Sequence, residues 1–243
     1  MTIETHVIEQ QVEELTNSGR LVGFAYIAML TTFLIGFITL ENVLAQPNLL
    51  ITASEHETQI MIGVLFELLM GVCEVLIALS IYPVFRRFDE RMAVGYLAFR
   101  IVEFVSQLFI DLGPLMLLSL SKQYVAAGQP DDSHYQLLAD LFLDFRNWGN
   151  RYLSIPYFFG GLVLYSTLYR SKIVPRFVAF WGLIAAIGVI VANTILAYFI
   201  PIGILMAVFG GVMGANELFL AIYLPIRKFN KQSIREIIIN HGP

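Results

Sequence analysis

Six stretches of this chain each run for about 20 or more mostly apolar residues, the length a helix needs to cross a bilayer. They lie at about 21–44, 59–85, 92–121, 151–169, 177–200 and 203–226. In lipid the backbone must satisfy its own hydrogen bonds, so continuous runs of this kind predict helices. A β-barrel would need short segments of alternating polarity instead. Composition points the same way. The 243 residues are 57% hydrophobic and 14% charged, with a mean hydropathy of +0.71, whereas a soluble domain carries about 25% charged residues. The expectation is an all-α polytopic membrane protein with six transmembrane helices. Residues 1–20 form a polar N-terminal segment, 21–226 the transmembrane domain, and 227–243 a basic tail. The first twenty residues have no apolar core, so no cleavable signal peptide is expected.

Lys and Arg set the orientation. Eleven of the fifteen precede the first run, follow the sixth, or lie between runs two and three or four and five. The opposite connections hold Lys122, Arg146 and Arg151, and Arg100 lies within the third run. Cytoplasmic loops carry the excess of Lys and Arg, so both termini are expected in the cytoplasm. Reporter fusions that place the Glu55–Glu57 loop in the cytoplasm would overturn this orientation.

Between runs three and four, Leu137, Leu138, Leu141, Phe142 and Phe145 recur at helical spacing. This predicts an amphipathic helix over 135–147 on the outer membrane surface, either a lid or a plain connector. The basic, amphipathic tail either lies on the anionic inner leaflet or frays in water. Pro83, Pro114 and Pro156 lie in or near spans and can kink them. Two endings echo each other: EVLIALSIYPVFRRF from Glu74 and ELFLAIYLPIRKF from Glu217. An internal duplication would explain this, and so would shared rules for the inner membrane boundary.

Polar residues inside spans are the candidate site. A charge at the bilayer centre costs about 2.5–3.5 kcal/mol on insertion scales, so such residues face a bundle interior or a cavity. Arg100, Glu103, Gln107 and Asp111 follow one another at spacings of three, four and four, which places all four on one helix face. Arg100 and Glu103 can pair within the helix. Glu103 and Glu74 each lie eleven residues from the inner end of their span, and Glu217 lies nine. At about 1.5 Å per residue these depths agree. Glu67 and Asp111 match farther out, with Asn193 close. Such a set can bind a proton, a cation or a polar ligand, or it can be a buried ion-pair network that fixes helix register. Gly210 and Gly214 form a GxxxG pair, which suits close packing within the chain or a homodimer seam.

Other classes find no support. The net charge of −4 gives no basic face for nucleic acid. No histidine and no lysine lies in a span, which argues against intramembrane haem or a retinal Schiff base. No nucleotide-binding or hydrolase motif occurs, and no metal or other cofactor is expected. His56 and His134 lack metal-ligand spacing. Cys73, the single cysteine, reads as a small buried hydrophobe.

Three stretches carry a family likeness: VGYLAFRIVEF at 94–104, LYRSKIVPRFVAFWGLIAA at 168–186, and ANELFLAIYLPIRKF at 215–229. Together they resemble the bacterial integral-membrane family of domain of unknown function 4386, over about residues 20–229. The most specific parts are Arg100 with Glu103, and the turn holding Tyr169, Arg170, Pro175, Arg176, Trp181 and Gly182. The resemblance implies a bacterial inner-membrane protein and places Arg100, Glu103 and Glu217 in the family pattern. It supplies no activity.

Three functions remain open. The leading one is binding or translocation of a small solute or proton through Glu74, Arg100, Glu103 and Glu217, with Glu67, Gln107 and Asp111 extending the site. The second is a structural or regulatory membrane protein that acts through a protein partner. The third is an intramembrane enzyme using the carboxylates as acid and base on a lipid-phase substrate.

Overall fold

A computed structural model of the chain describes residues 3–130, 133–194, 199, 204 and 206–241. These residues form helices joined by short turns, with no strand among them. The helices are α1 (Ile3–Leu44), α2 (Leu49–Glu55), α3 (Glu57–Phe88), α4 (Glu90–Ile110), α5 (Leu112–Ala126), α6 (Ser133–Ser171), α7 (Arg176–Thr194), α8 (Gly211–Arg227) and α9 (Lys231–His241), with a π-helical turn at Met206–Gly210 before α8. Pro201, Ala207 and the predicted junction of the fifth and sixth spans lie outside the residues whose side chains are described.

Among the described residues, five stretches are long and apolar enough to cross a membrane: His6–Leu44, Glu57–Phe88, Glu90–Ala126, Arg176–Thr194 and Val208–Arg227. Their outward faces are apolar. On α7, Phe177, Phe180, Ile184 and Ile187 are exposed at helical spacing, as are Leu218, Ile222 and Ile226 on α8. An apolar outer stripe is the reverse of a soluble amphipathic helix and fits a lipid surround. The run predicted at 151–169 is helical but is not among the five. It forms the second part of α6, whose tyrosines, serines and threonine lower its hydropathy.

Four local expectations change. The run at 92–121 is divided, since α4 ends at Ile110 and α5 begins at Leu112. Pro114 has no N–H to give the Ile110 carbonyl, which favours a break there and suits Pro114 to the first turn of α5. The segment at 135–147 is not a separate surface helix. It continues through Pro156 into the rest of the 39-residue α6. Residues 3–20, expected as a polar segment, extend α1, with Val12 and Leu15 buried. The tail forms α9 instead of fraying, and its Ile234, Ile237 and Ile238 are buried in the protein.

The chain forms two compact units. The first comprises Met1–Ala28, Cys73–Val102 and Ser154–Pro243. Its core holds the large buried rings Tyr26, Phe85, Tyr96, Tyr165 and Phe229. α7 and α8 are tied by Asn216 Nδ2, which donates to the Val178 carbonyl at 2.9 Å. The chain ends also meet here. Phe229 N–H donates to Thr16 O, Asn230 N–H to Ile173 O, and Lys231 and Arg235 pair with Glu9. The second unit comprises Met29–Val72 and Glu103–Leu153. There α2 packs on α5, with Ser121 Oγ donating to the Leu50 carbonyl. Leu40, Val43, Ile60, Val64 and Leu118 form one apolar cluster, and Leu49, Leu50, Leu117, Leu120 and Ala139 form another.

Candidate functional site

Each unit contains one buried guanidinium surrounded by carboxylates and their hydrogen-bond partners. In the first unit, Arg100 is 4% exposed on α4. Its Nη1 lies 3.5 Å from Glu74 Oε1 on α3, and its Nε donates to the Tyr96 hydroxyl at 3.3 Å. The guanidinium carbon lies 5.5 Å from the ring centres of both Tyr96 and Tyr157. Two aromatic faces and a carboxylate therefore replace the water that a buried cation has lost. Tyr157 extends the network, since its hydroxyl donates to Glu217 Oε1 at 3.1 Å. The matched-depth residues Glu74, Arg100 and Glu217 thus belong to one connected set. Glu74 and Glu217 also open the two echoing sequences, so each echo contributes one carboxylate. The ion pair from Arg100 to Glu74 reaches across to α3. Glu103 is buried as well, and it belongs to the second unit.

In the second unit the cation is Arg146 on α6, 5% exposed. It holds Glu67 of α3 in a two-pronged contact: Nη1 donates to Oε2 at 2.9 Å and Nη2 to Oε1 at 2.7 Å. This paired geometry is the strong form of an arginine–carboxylate contact. Asp111 Oδ1 lies 3.6 Å from Nη1, and Glu41 Oε1 on α1 lies 3.7 Å from Nη2. Gln107 Nε2 donates to Asp111 Oδ1 at 2.8 Å and to Glu67 Oε2 at 3.3 Å. Glycines permit the approach. A Cβ at Gly113 would come within 3.0 Å of the Phe142 carbonyl and 3.3 Å of Arg146 Cβ. One at Gly36 would come within 3.0 Å of Glu67.

Sequence reasoning groups Glu67, Gln107 and Asp111 by depth but leaves Arg146 among the outer-loop charges and does not single out Glu41. A signal for Arg146 exists. It falls four residues after Phe142 and seven after the buried Ala139, so it lies on the inward stripe of its helix. The two tyrosines around Arg100 carry no sequence signal that separates them from ordinary boundary aromatics. Asn193 makes a local bond to the Val189 carbonyl. A Cβ added at Gly211 or Gly214 would meet no described atom beyond its own helix backbone within 4 Å. Cys73 is half-buried, and no group of metal-ligating side chains occurs among the described residues.

The turn between α6 and α7 holds contacts rather than a polar pocket. Arg176 lies over the Tyr169 ring at 5.3 Å and Arg170 over Phe88 at 5.6 Å. The Ile173 and Lys172 carbonyls accept bonds from Asn230 and Ser233 at the start of the tail.

A family model described as a domain of unknown function, DUF4386, matches residues 21–227. No curated protein and no solved structure matches the chain.

Proposed function

This chain belongs to the DUF4386 family, and we propose that it is a multi-pass inner-membrane protein that binds or translocates a small solute or proton through its buried Arg/Glu networks. The observation that carries this reading is the charge count. Arg100 pairs with Glu74 and is linked to the buried Glu217 through Tyr157, while Arg146 faces the buried Glu67 and Asp111 and the half-exposed Glu41. A carboxylate buried without its own cation is costly, so the surplus invites a proton or a cation. The residues of the reading are Glu74, Arg100 and Glu217 in the first unit, and Glu103, Glu67, Gln107 and Asp111, with Arg146, in the second.

In this reading the second part of α6 is the sixth span, with 1–20 and 227–243 in the cytoplasm. An even number of crossings puts the basic connections and both termini on one side. The small-residue face that carries Gly210 and Gly214 is the seam of a homodimer. Purified protein in liposomes should conduct protons or a small solute, and Glu74→Gln and Glu217→Gln should each reduce that flux at least tenfold. Unchanged flux in both variants, with protein folded and inserted, rules the reading out.

A structural role is the second reading, favoured by the two-pronged Arg146–Glu67 contact, which saturates one edge of each partner. Under it, the same substitutions would lower stability and leave flux untouched.

A further inference from the structure

The second unit's cluster contains a carboxyl oxygen with no donor. Asp111 is 2% exposed. Its Oδ1 accepts from Gln107, while Oδ2 receives no hydrogen bond. The groups around this carboxyl come from four helices: Glu41 on α1, Glu67 on α3, Gln107 on α4 and Arg146 on α6. Arg146 gives its two short bonds to Glu67 and stands 3.6 Å from Asp111. Glu67 and Asp111 are held side by side, since Gln107 Nε2 donates to both and Arg146 Nη1 approaches both. Two ionised carboxylates so placed repel each other and can only accept hydrogen bonds. One proton on the pair lowers the buried negative charge and supplies a donor.

We propose that Asp111 and Glu67 form a proton-binding carboxyl pair, with the proton on Asp111 and the ionised Glu67 held by Arg146. Glu67 is the fixed partner because both of its oxygens already accept from the guanidinium. Asp111 has no such bond and supplies the O–H. Gln107 orients both groups by donating to one oxygen of each. This deepens the reading above by naming the proton as the bound species at one defined pair, and it rests on that reading only for the use made of the proton.

The test is infrared difference spectroscopy of the full-length protein in lipid nanodiscs at neutral pH. The wild type should show a protonated-carboxyl C=O stretch that shifts in D2O. Asp111→Asn should remove it. Glu67→Gln should also remove it, because an amide N–H can then donate to Asp111 and the proton is no longer needed. Glu74→Gln and Glu217→Gln should leave it in place. Either Asp111→Asn or Glu67→Gln suffices if the other does not fold. Absence of the band in the wild type, or its persistence in either variant, overturns the proposal. The readout does not depend on transport, so a protein that shows the band but conducts nothing would sink the transport reading alone.

Discussion

Replacing Arg146 by alanine should destabilise the protein by about 3–5 kcal/mol, the usual cost of leaving a buried ion-pair partner uncompensated. Glu67 loses both of its short bonds, and Asp111 and Glu41 lose their nearest cation. The measurement is equilibrium unfolding of the purified protein in a mild detergent. Arg151→Ala is the control. Arg151 stacks over Trp148 at 4.9 Å, and loss of such a contact costs about 1 kcal/mol. A double replacement, Arg146→Met with Glu67→Met, should recover part of the loss, because an apolar pair of similar volume removes the stranded charge. If Arg146→Ala unfolds like Arg151→Ala, Arg146 is not the centre of the second unit's network.

The second large effect is expected at Gly182. A Cβ there would lie 2.1 Å from Tyr165 Cε1 and 2.3 Å from Cζ. The ring cannot retreat easily. Tyr165 is 1% exposed, and its hydroxyl donates to Met213 Sδ at 3.5 Å. Gly182→Ala should therefore cost about 1–3 kcal/mol, the range for overpacking a close-packed core. The opposite outcome is expected at Gly214, where an added Cβ meets no described atom beyond its own helix backbone within 4 Å. Gly214→Ala should stay within about 0.5 kcal/mol of wild type. Thermal unfolding of the two variants side by side checks both. Equal melting temperatures would mean that the Tyr165 ring does not hold α7 where it lies.

Gly182 also shows what a family pattern conveys. The resemblance singles it out beside Trp181, after the α6–α7 turn, yet gives no reason for the glycine. The reason is the flat side of one buried tyrosine, seventeen residues earlier in the chain. Arg100 is different, because a lone arginine in an apolar run is anomalous from composition alone. Helical periodicity then aligns Glu103, Gln107 and Asp111 with it, and depth counting adds Glu74, Glu217 and Glu67.

By itself the sequence determined the all-helical class, the long apolar runs and the polar residues that had to be buried. Those follow from hydrophobic run length, the 3.6-residue period and the cost of charge in an apolar medium, all of which act locally along the chain. Tertiary structure alone decided which carboxylate faces which guanidinium. Arg100 pairs with Glu74, while Arg146, indistinguishable by run length from a loop charge, takes Glu67. It also decided that the outer amphipathic segment continues into α6 and that the tail's isoleucines turn into protein. These outcomes depend on the rotation and spacing of neighbouring helices. Glycines at 36, 113 and 182 and the rings of Tyr96 and Tyr157 set those quantities, and no run of adjacent residues encodes them.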